Sequence, residues 1–234
     1  MKTYYNITQQ TKEWFKIKWG KIGGTRSGGL FIKSDTLLIE LLSELTEDFR
    51  IDESYQSFDM NRGNELEPLA RKELSKYTGI DFKEVGWMQS LSNPLLGISP
   101  DGIDKSEINM CELKCLGAKA HLRALIKNEI PKEYMPQLIH YFTINPKLEK
   151  LYFCSFRPES NIKKLFVKEL KRDSLVDIGW TKKGKIKEDR GFGLKEYSRK
   201  SPDLRTIKEF SDIANVEAKR LNIECNELIE QLRF

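Results

Sequence analysis

The sequence predicts an α/β fold with a mixed central sheet flanked by helices and a C-terminal helical extension. Three observations predict it. The first third of the chain carries apolar residues at helical spacing, strand-like runs follow between residues 82 and 116, and further helical stretches lead to one more strand at Leu151–Phe156. With 234 residues, 39% of them hydrophobic, the chain can fill the core of a single domain. Within that domain, residues 1–160 read as the core with its N-terminal helices, 161–201 as a basic segment attached to it, and 202–234 as an amphipathic helical segment.

Thr11-Lys12-Glu13-Trp14 has the form of a helix start, with Trp14, Phe15 and Ile17 as its apolar stripe up to Trp19-Gly20. Gly23-Gly24-Thr25-Arg26-Ser27-Gly28-Gly29 breaks the pattern. It reads equally as a flexible surface loop or as a cradle of backbone N–H groups and hydroxyls for a phosphate. Thr36–Phe49 is a second helix. Asn61–Tyr77 is a third, with Leu66, Ala70, Leu74 and Tyr77 in register and Thr78-Gly79 as its stop. On this helix Glu67 and Arg71 stand one turn apart, as an exposed ion pair adding a few tenths of a kcal/mol or with Glu67 turned into a site.

Phe82–Met88, Leu95–Ile103 and Ile108–Leu116 are the strand-like runs, and Lys119–Asn128 is a helix ending before Pro131. In Glu133–Phe142, Pro136 fits only in a helix's first turn. Pro202–Phe234 has one long amphipathic pattern through Leu204, Ile207, Phe210, Ile213, Leu221, Leu228 and Leu232. Such a helix either covers the core or packs against a neighbouring subunit.

No stretch approaches the ~20 apolar residues of a membrane span, and Met1–Asn6 lacks a secretory h-region, so a soluble cytoplasmic protein is expected. Cys111, Cys115, Cys154 and Cys225 form no metal-binding pattern and read as buried free thiols in a reducing compartment. His121 and His140 read as helix-surface or packing residues. The net charge is +5, yet residues 161–200 alone hold thirteen Lys or Arg against six Asp or Glu, with a run Lys182-Lys183-Gly184-Lys185-Ile186-Lys187. That segment is a solvated lysine-rich surface or a phosphate-facing patch.

Two short motifs carry chemistry. Ser99-Pro100-Asp101-Gly102 follows an apolar run, and Glu112-Leu113-Lys114 begins eleven residues after the aspartate in a second one. On a strand Glu112 and Lys114 share a face, while Cys111, Leu113 and Cys115 share the other. A hairpin through Asp104-Lys105-Ser106-Glu107 can bring Asp101 beside Glu112. Each motif alone is common on solvated strands and turns. Apolar flanks change the balance, because charge on a buried strand is costly. Two carboxylates and an ammonium at one spot suit a hard cation such as Mg²⁺, which activates water and offsets charge on a phosphate.

Taken together, the chain resembles the lambda-exonuclease-like viral recombination nucleases of the PD-(D/E)XK superfamily over roughly residues 10–157. The resemblance rests on Trp14-x-x-x-Lys18 before Gly23-Gly24-Thr25, Gly63-x-x-x-Glu67-Pro68-x-Ala70-Arg71, Ser99-Pro100-Asp101-Gly102, Glu112-Leu113-Lys114-Cys115 and Tyr134-Met135-Pro136-Gln137, in family order. It implies a restriction-endonuclease-like core in which Asp101, Glu112 and the carbonyl of Leu113 bind two Mg²⁺ ions, replaceable by Mn²⁺. Glu67 would be a further ligand, direct or through water. Lys114 would orient or activate the attacking water, and Gln137 would position that water or a substrate phosphate.

The resemblance also assigns Lys18, Thr25 and Ser99 to a terminal 5′-phosphate, and Arg71, Lys119 and Arg123 to DNA; His121 competes with the last two as the basic residue expected there. Its departures are Lys18, where the family often has arginine, a point charge replacing a planar fork, and Leu116, where a proline is common. The implied activity is a 5′→3′ exonuclease on double-stranded DNA ends in phage-type recombination. Its partners would be a second and third copy of the chain in a trimer and a single-strand annealing protein, in a bacterial host cytoplasm. A restriction- or repair-type endonuclease and a catalytically silent DNA-end binder are the alternatives. A Cas4-like nuclease lacks its cluster cysteines here.

Overall fold

The computed structural model describes residues 1–50, 58–178, 183–189, 194–200 and 204–233. In chain order the elements are β1 (Lys2–Tyr4), α1 (Lys12–Lys18), a 3₁₀ turn (Gly24–Arg26), α2 (Gly29–Ile32), α3 (Asp35–Thr46), α4 (Phe58–Thr78), β2 (Trp87–Gln89), β3 (Gly97–Ile98), β4 (Gly102–Ile103) and β5 (Asn109–Lys114). Then come α5 (Ala118–Lys127), a 3₁₀ turn (Lys132–Tyr134), α6 (Met135–Ile144), β6 (Lys150–Phe156), β7 (Leu165–Leu170), β8 (Leu175–Asp177), β9 (Lys183–Asp189), β10 (Leu194–Lys200), β11 (Leu204–Thr206) and α7 (Ile207–Leu232).

The central sheet has the order β4-β5-β6-β7. It is mixed: β5 runs antiparallel to β4 and parallel to β6, and β7 returns antiparallel. β5 is buried on both faces, and its period of two sorts the layers. Cys111 and Leu113 join Tyr152, Cys154 and Phe156 against Ala70 and Leu74 of α4. Met110, Leu151 and Phe153 join Leu138, Ile139 and Phe142 of α6 and Phe210, Ala214 and Leu221 of α7. Burying each such large side chain contributes ~1.5–3 kcal/mol, so the sheet is clamped between α4 and the α6–α7 pair.

Local signals explain the element ends. Thr11 caps α1 by accepting from Trp14 N at 3.3 Å. Gly79, at φ +73°, closes α4 in the left-handed conformation, and Pro136 sits in the first turn of α6. α7 opens with a capping box between Thr206 and Glu209.

Three expectations are corrected. Leu95–Ile103 is not one strand: β3 pairs with β2 in a separate sheet of order β1-β2-β3, and only β4 joins the central sheet. Pro100 has no N–H to give a ladder, so the chain changes sheets at Ser99–Asp101. Phe82–Met88 shortens to an isolated bridge at Lys83 and the strand β2. The C-terminal helix starts at Ile207 rather than Pro202; Leu204 belongs to β11, paired with β8, and both Leu204 and Leu232 are exposed. α7 covers the core, with Ile207, Phe210, Ala214, Ala218, Leu221 and Cys225 buried.

The basic segment supplies β7, β8 and the antiparallel β9–β10 pair, which the sequence reading did not contain. Of its lysine run, Lys182 lies outside the described residues. Among the described residues no helix is long and apolar enough to cross a membrane. All four cysteines are free; three are buried and Cys115 is half-buried.

Candidate active site

The β4–β5 register sets Gly102 opposite Cys111 and carries Asp101 to the level of Glu112. Gly102 has to be glycine: a Cβ there would stand 2.6 Å from the Cys111 sulfur. Asp101 Oδ2 accepts the Leu113 N–H at 2.7 Å. Glu112 is buried at 1% exposure. Its Oε2 accepts from the Tyr141 hydroxyl at 2.6 Å, and its Oε1 pairs with the Lys114 ammonium. Lys114 Nζ also lies 5.2 Å from the centre of the Tyr134 ring. Burial works against the Lys114 ammonium, but the Glu112 and Asp101 charges outweigh it and raise its pKa, so the side chain stays charged.

α4 adds the second half of the corner. Arg71 donates from Nε to the Asp101 carbonyl and from Nη2 to Glu67 Oε1, each at 2.5 Å, and reaches Glu84 at 3.4 Å. Its guanidinium therefore anchors Asp101 and Glu67 from inside the protein. The Asp101 pKa is raised well above its ordinary value by burial and by the Glu112 and Glu67 charges. Burial likewise raises Glu67, against the pull of Arg71. Asp101 and Glu67, whose negative charge is disfavoured beside Glu112, are with it a donor set that an oxygen-seeking cation relieves. As they stand, no three His, Cys, Asp or Glu side chains among the described residues are arranged to hold a metal ion: Glu67 is turned onto Arg71 and Glu112 onto Lys114. The donors fit magnesium in chemistry, and both pairs have to yield for it.

α6 connects this corner to the glycine-rich turn. Gln137, in its first turn, packs so closely on Gly24 that a Cβ there would meet Gln137 Cγ at 2.8 Å. One turn on, buried His140 donates from Nε2 to the carbonyls of Ile22 (3.1 Å) and Gly97 (3.0 Å). Burial lowers its pKa to about 4 despite those bonds, so it is neutral. The same helix thus touches the glycine turn through Gln137, its base through His140, and Glu112 through Tyr141.

Beside that turn, Lys18 Nζ lies 3.4 Å over the Trp14 ring. Trp14 Nε1 donates to Ser99 Oγ at 2.8 Å, and Ser99 donates onward to the Gly86 carbonyl at 2.8 Å. Arg26 is held by both oxygens of Glu44. Burial, with the like charge of Arg26, lowers the Lys18 pKa to about 8. Thr25 is exposed on the turn. Ser99 thus reaches the cluster by steadying Trp14, its own hydroxyl proton being given to Gly86.

Lys119 and Arg123 are exposed one turn apart on α5. His121 is no competitor for their place: it is buried, accepting from Ser155 at 2.7 Å and donating to the Lys163 carbonyl at 2.9 Å. Tyr141 was missed by the sequence reading, though it stands four residues after Gln137, on the adjacent turn of the same helix.

Residues 13–146 match the YqaJ-like viral recombinase domain. The chain belongs to that family. No curated protein sequence matches it. Among solved structures it resembles the alkaline exonuclease of Laribacter hongkongensis, at 21% identity and a TM-score of 0.70 over 95% of this chain and 96% of that one. The complex of the same enzyme with dAMP gives 0.68 at 21% identity, over 95% and 98%. That likeness shows a shared fold between this chain's α/β architecture and that of the exonuclease.

Proposed function

We propose that this YqaJ-like protein is a magnesium-dependent exonuclease that hydrolyses double-stranded DNA from its ends, 5′ to 3′. The observation that carries the reading is the convergence of Asp101, Glu112 and Lys114, backed by Glu67, at the point where the chain changes sheets. Asp101, Glu112, Glu67 and the Leu113 carbonyl would hold two Mg²⁺, or Mn²⁺ in their place. Bound magnesium supplies Lewis acidity, which activates water and offsets charge on the phosphate.

This chain's residues do the rest. Lys114, kept protonated by Glu112 and Asp101, places a fixed positive charge where negative charge develops. Tyr141 holds one oxygen of Glu112, so that carboxylate keeps its direction when Lys114 lets go. Gln137 positions the water or a phosphate oxygen. Lys18 and Thr25 hold the terminal 5′-phosphate, with Ser99 acting through Trp14. Lys119 and Arg123 face the DNA backbone from α5, whereas Arg71 serves DNA by fixing Asp101. A trimer that passes its 3′ single strand to an annealing protein in a bacterial host cytoplasm is part of the same proposal.

The deciding experiment is digestion of linear duplexes ending in 5′-phosphate or 5′-hydroxyl, beside a covalently closed plasmid, with Mg²⁺ or EDTA. The expected result is loss of linear DNA from its 5′ ends with Mg²⁺ only and an intact plasmid. Cutting of the closed circle would replace the exonuclease with an endonuclease, and full activity in EDTA would remove the metal.

A further inference from the structure

Two arginines that the chemistry above does not use grip the end of the catalytic strand. Arg62, near the start of α4, donates from Nη1 to the Cys115 carbonyl at 2.8 Å and from Nη2 to both oxygens of Glu159 at 2.9 Å. Arg157, just past β6, donates to the Leu116 carbonyl at 3.3 Å and stands 3.9 Å from Glu159 Oε2. Cys115 directly follows Lys114. Arg62 thus holds the backbone one residue beyond Lys114, so the cluster abuts the proposed catalytic corner.

The three side chains differ in access. Those of Arg62 and Arg157 are 17% and 22% exposed, that of Glu159 50%. Two guanidinium groups are anchored from behind by backbone carbonyls, with a carboxylate on their open side. Glu159 rides on the short β6–β7 turn, closed by Arg157 N to Lys164 O at 2.8 Å. Exposed Lys163 and Lys164 share that turn, and His121 ties it to α5, which carries Lys119 and Arg123. Glu159 is thus an acid on a basic ledge.

An arginine fork accepts carboxylate and phosphate in the same geometry, and a carboxylate at half exposure is held weakly enough to exchange. We propose that Arg62 and Arg157 form a subsite for a backbone phosphate of the DNA strand at the active site, and that Glu159 fills it when DNA is absent. The inference rests on DNA being the substrate. It makes Glu159 an internal competitor: a phosphate entering the subsite displaces the carboxylate, and the two guanidinium groups keep their carbonyl anchors throughout.

The test is duplex binding by fluorescence anisotropy in EDTA, where turnover cannot interfere. Glu159→Gln removes the competitor without changing shape. Glu227→Gln, at an exposed position on α7, makes the same change in net charge elsewhere. Glu159→Gln should tighten duplex binding about threefold to tenfold, and Glu227→Gln by less than twofold. In an Arg62→Lys background, which keeps the charge and removes the fork, the gain from Glu159→Gln should largely disappear. A Glu159→Gln gain no larger than that of Glu227→Gln, or one that survives in Arg62→Lys, overturns the subsite. A wild-type protein that binds duplex but hydrolyses none with Mg²⁺ overturns the nuclease reading and leaves the subsite standing. Absence of duplex binding overturns both.

Discussion

The Asp101–Glu112–Lys114 corner and the glycine-turn cluster are built on opposite principles. At the corner every charged group already has a partner: Lys114 and Tyr141 on Glu112, Leu113 N–H on Asp101, Arg71 on Glu67. Among the described residues Lys18 has an aromatic face beneath it and a like charge beside it, and no carboxylate. On the proposed function, the corner would hold its geometry before substrate arrives and would surrender internal pairs to bind a cation. The cluster would surrender nothing and would gain a counter-charge on binding the proposed terminal phosphate. On the proposed function, preorganisation would serve the chemistry and unsatisfied charge the recognition.

The largest effect tests the corner. Asp101→Asn keeps an acceptor for the Leu113 N–H and removes the charge, so hydrolysis with Mg²⁺ should fall by about a thousandfold or more. The variant should nevertheless be the more heat-stable protein at neutral pH in EDTA. Asp101 has a folded pKa raised above 3.8. Its contribution to stability is therefore present at low pH and is lost as pH rises through the raised value. Melting curves against pH in EDTA should show that loss in the wild type and less of it in Asp101→Asn. Added Mg²⁺ should restore the wild type more than the variant. Glu67→Ala, whose ligation is direct or through water, should be impaired less. Near-normal hydrolysis by Asp101→Asn would dissolve the corner as a site.

Tyr141→Phe comes next, because it removes one hydrogen bond from the corner and no charge. Glu112 Oε2 loses its 2.6 Å donor while buried, which should cost ~1–3 kcal/mol of stability. Partners behind a ligand typically matter 10–100-fold in metal affinity or activity, so Mg²⁺ titration of the rate should shift to higher concentration by about that factor. A purely structural tyrosine would lower the melting temperature and leave the Mg²⁺ midpoint in place.

The same contrast decides what could be read without coordinates. The β5 alternation was legible because a strand buried on both faces sorts its side chains strictly by parity, and the shared face of Glu112 and Lys114 follows from it, while Asp101 follows from the β4–β5 hairpin. Thr11 and Gly79 were legible because caps are local. Pro100 was in view, but its consequence, a change of sheet, depends on where β2 and β4's neighbours lie. β8 and β11 pair across an interval holding another hairpin, and polar runs such as Leu194–Lys200 carry no period that singles out a strand. Arg71 was visible as an i, i+4 partner of Glu67; its bond to the Asp101 carbonyl comes from thirty residues away. The ledge of Arg62, Arg157 and Glu159 joins the start of α4 to the β6–β7 turn, and no spacing in the sequence marks it.

The smallest effect lies at Lys18, where pH sharpens the comparison. Its pKa is lowered from 10.5 to about 8 by burial and by Arg26. The ammonium that would meet a phosphate is therefore present below about pH 8 and lost as pH rises through that value. A bound dianion favours the charged form and draws the proton back, so binding of a 5′-phosphate above pH 8 takes up a proton and weakens as pH climbs. The ratio of kcat/KM on 5′-phosphate ends to that on 5′-hydroxyl ends should be greatest below pH 8 and decline above it. Lys18→Ala should reduce the ratio about fivefold, the scale of a screened ion pair, and make it flat with pH. Lys18→Arg, which stays charged throughout, should hold the preference to higher pH. Added salt should lower the wild-type ratio towards that of Lys18→Ala. A ratio of one, indifferent to pH and to Lys18→Ala, would mean the Lys18 charge is stabilised by Trp14 alone and the glycine turn binds no terminal phosphate; the corner at Asp101 would be untouched by that result.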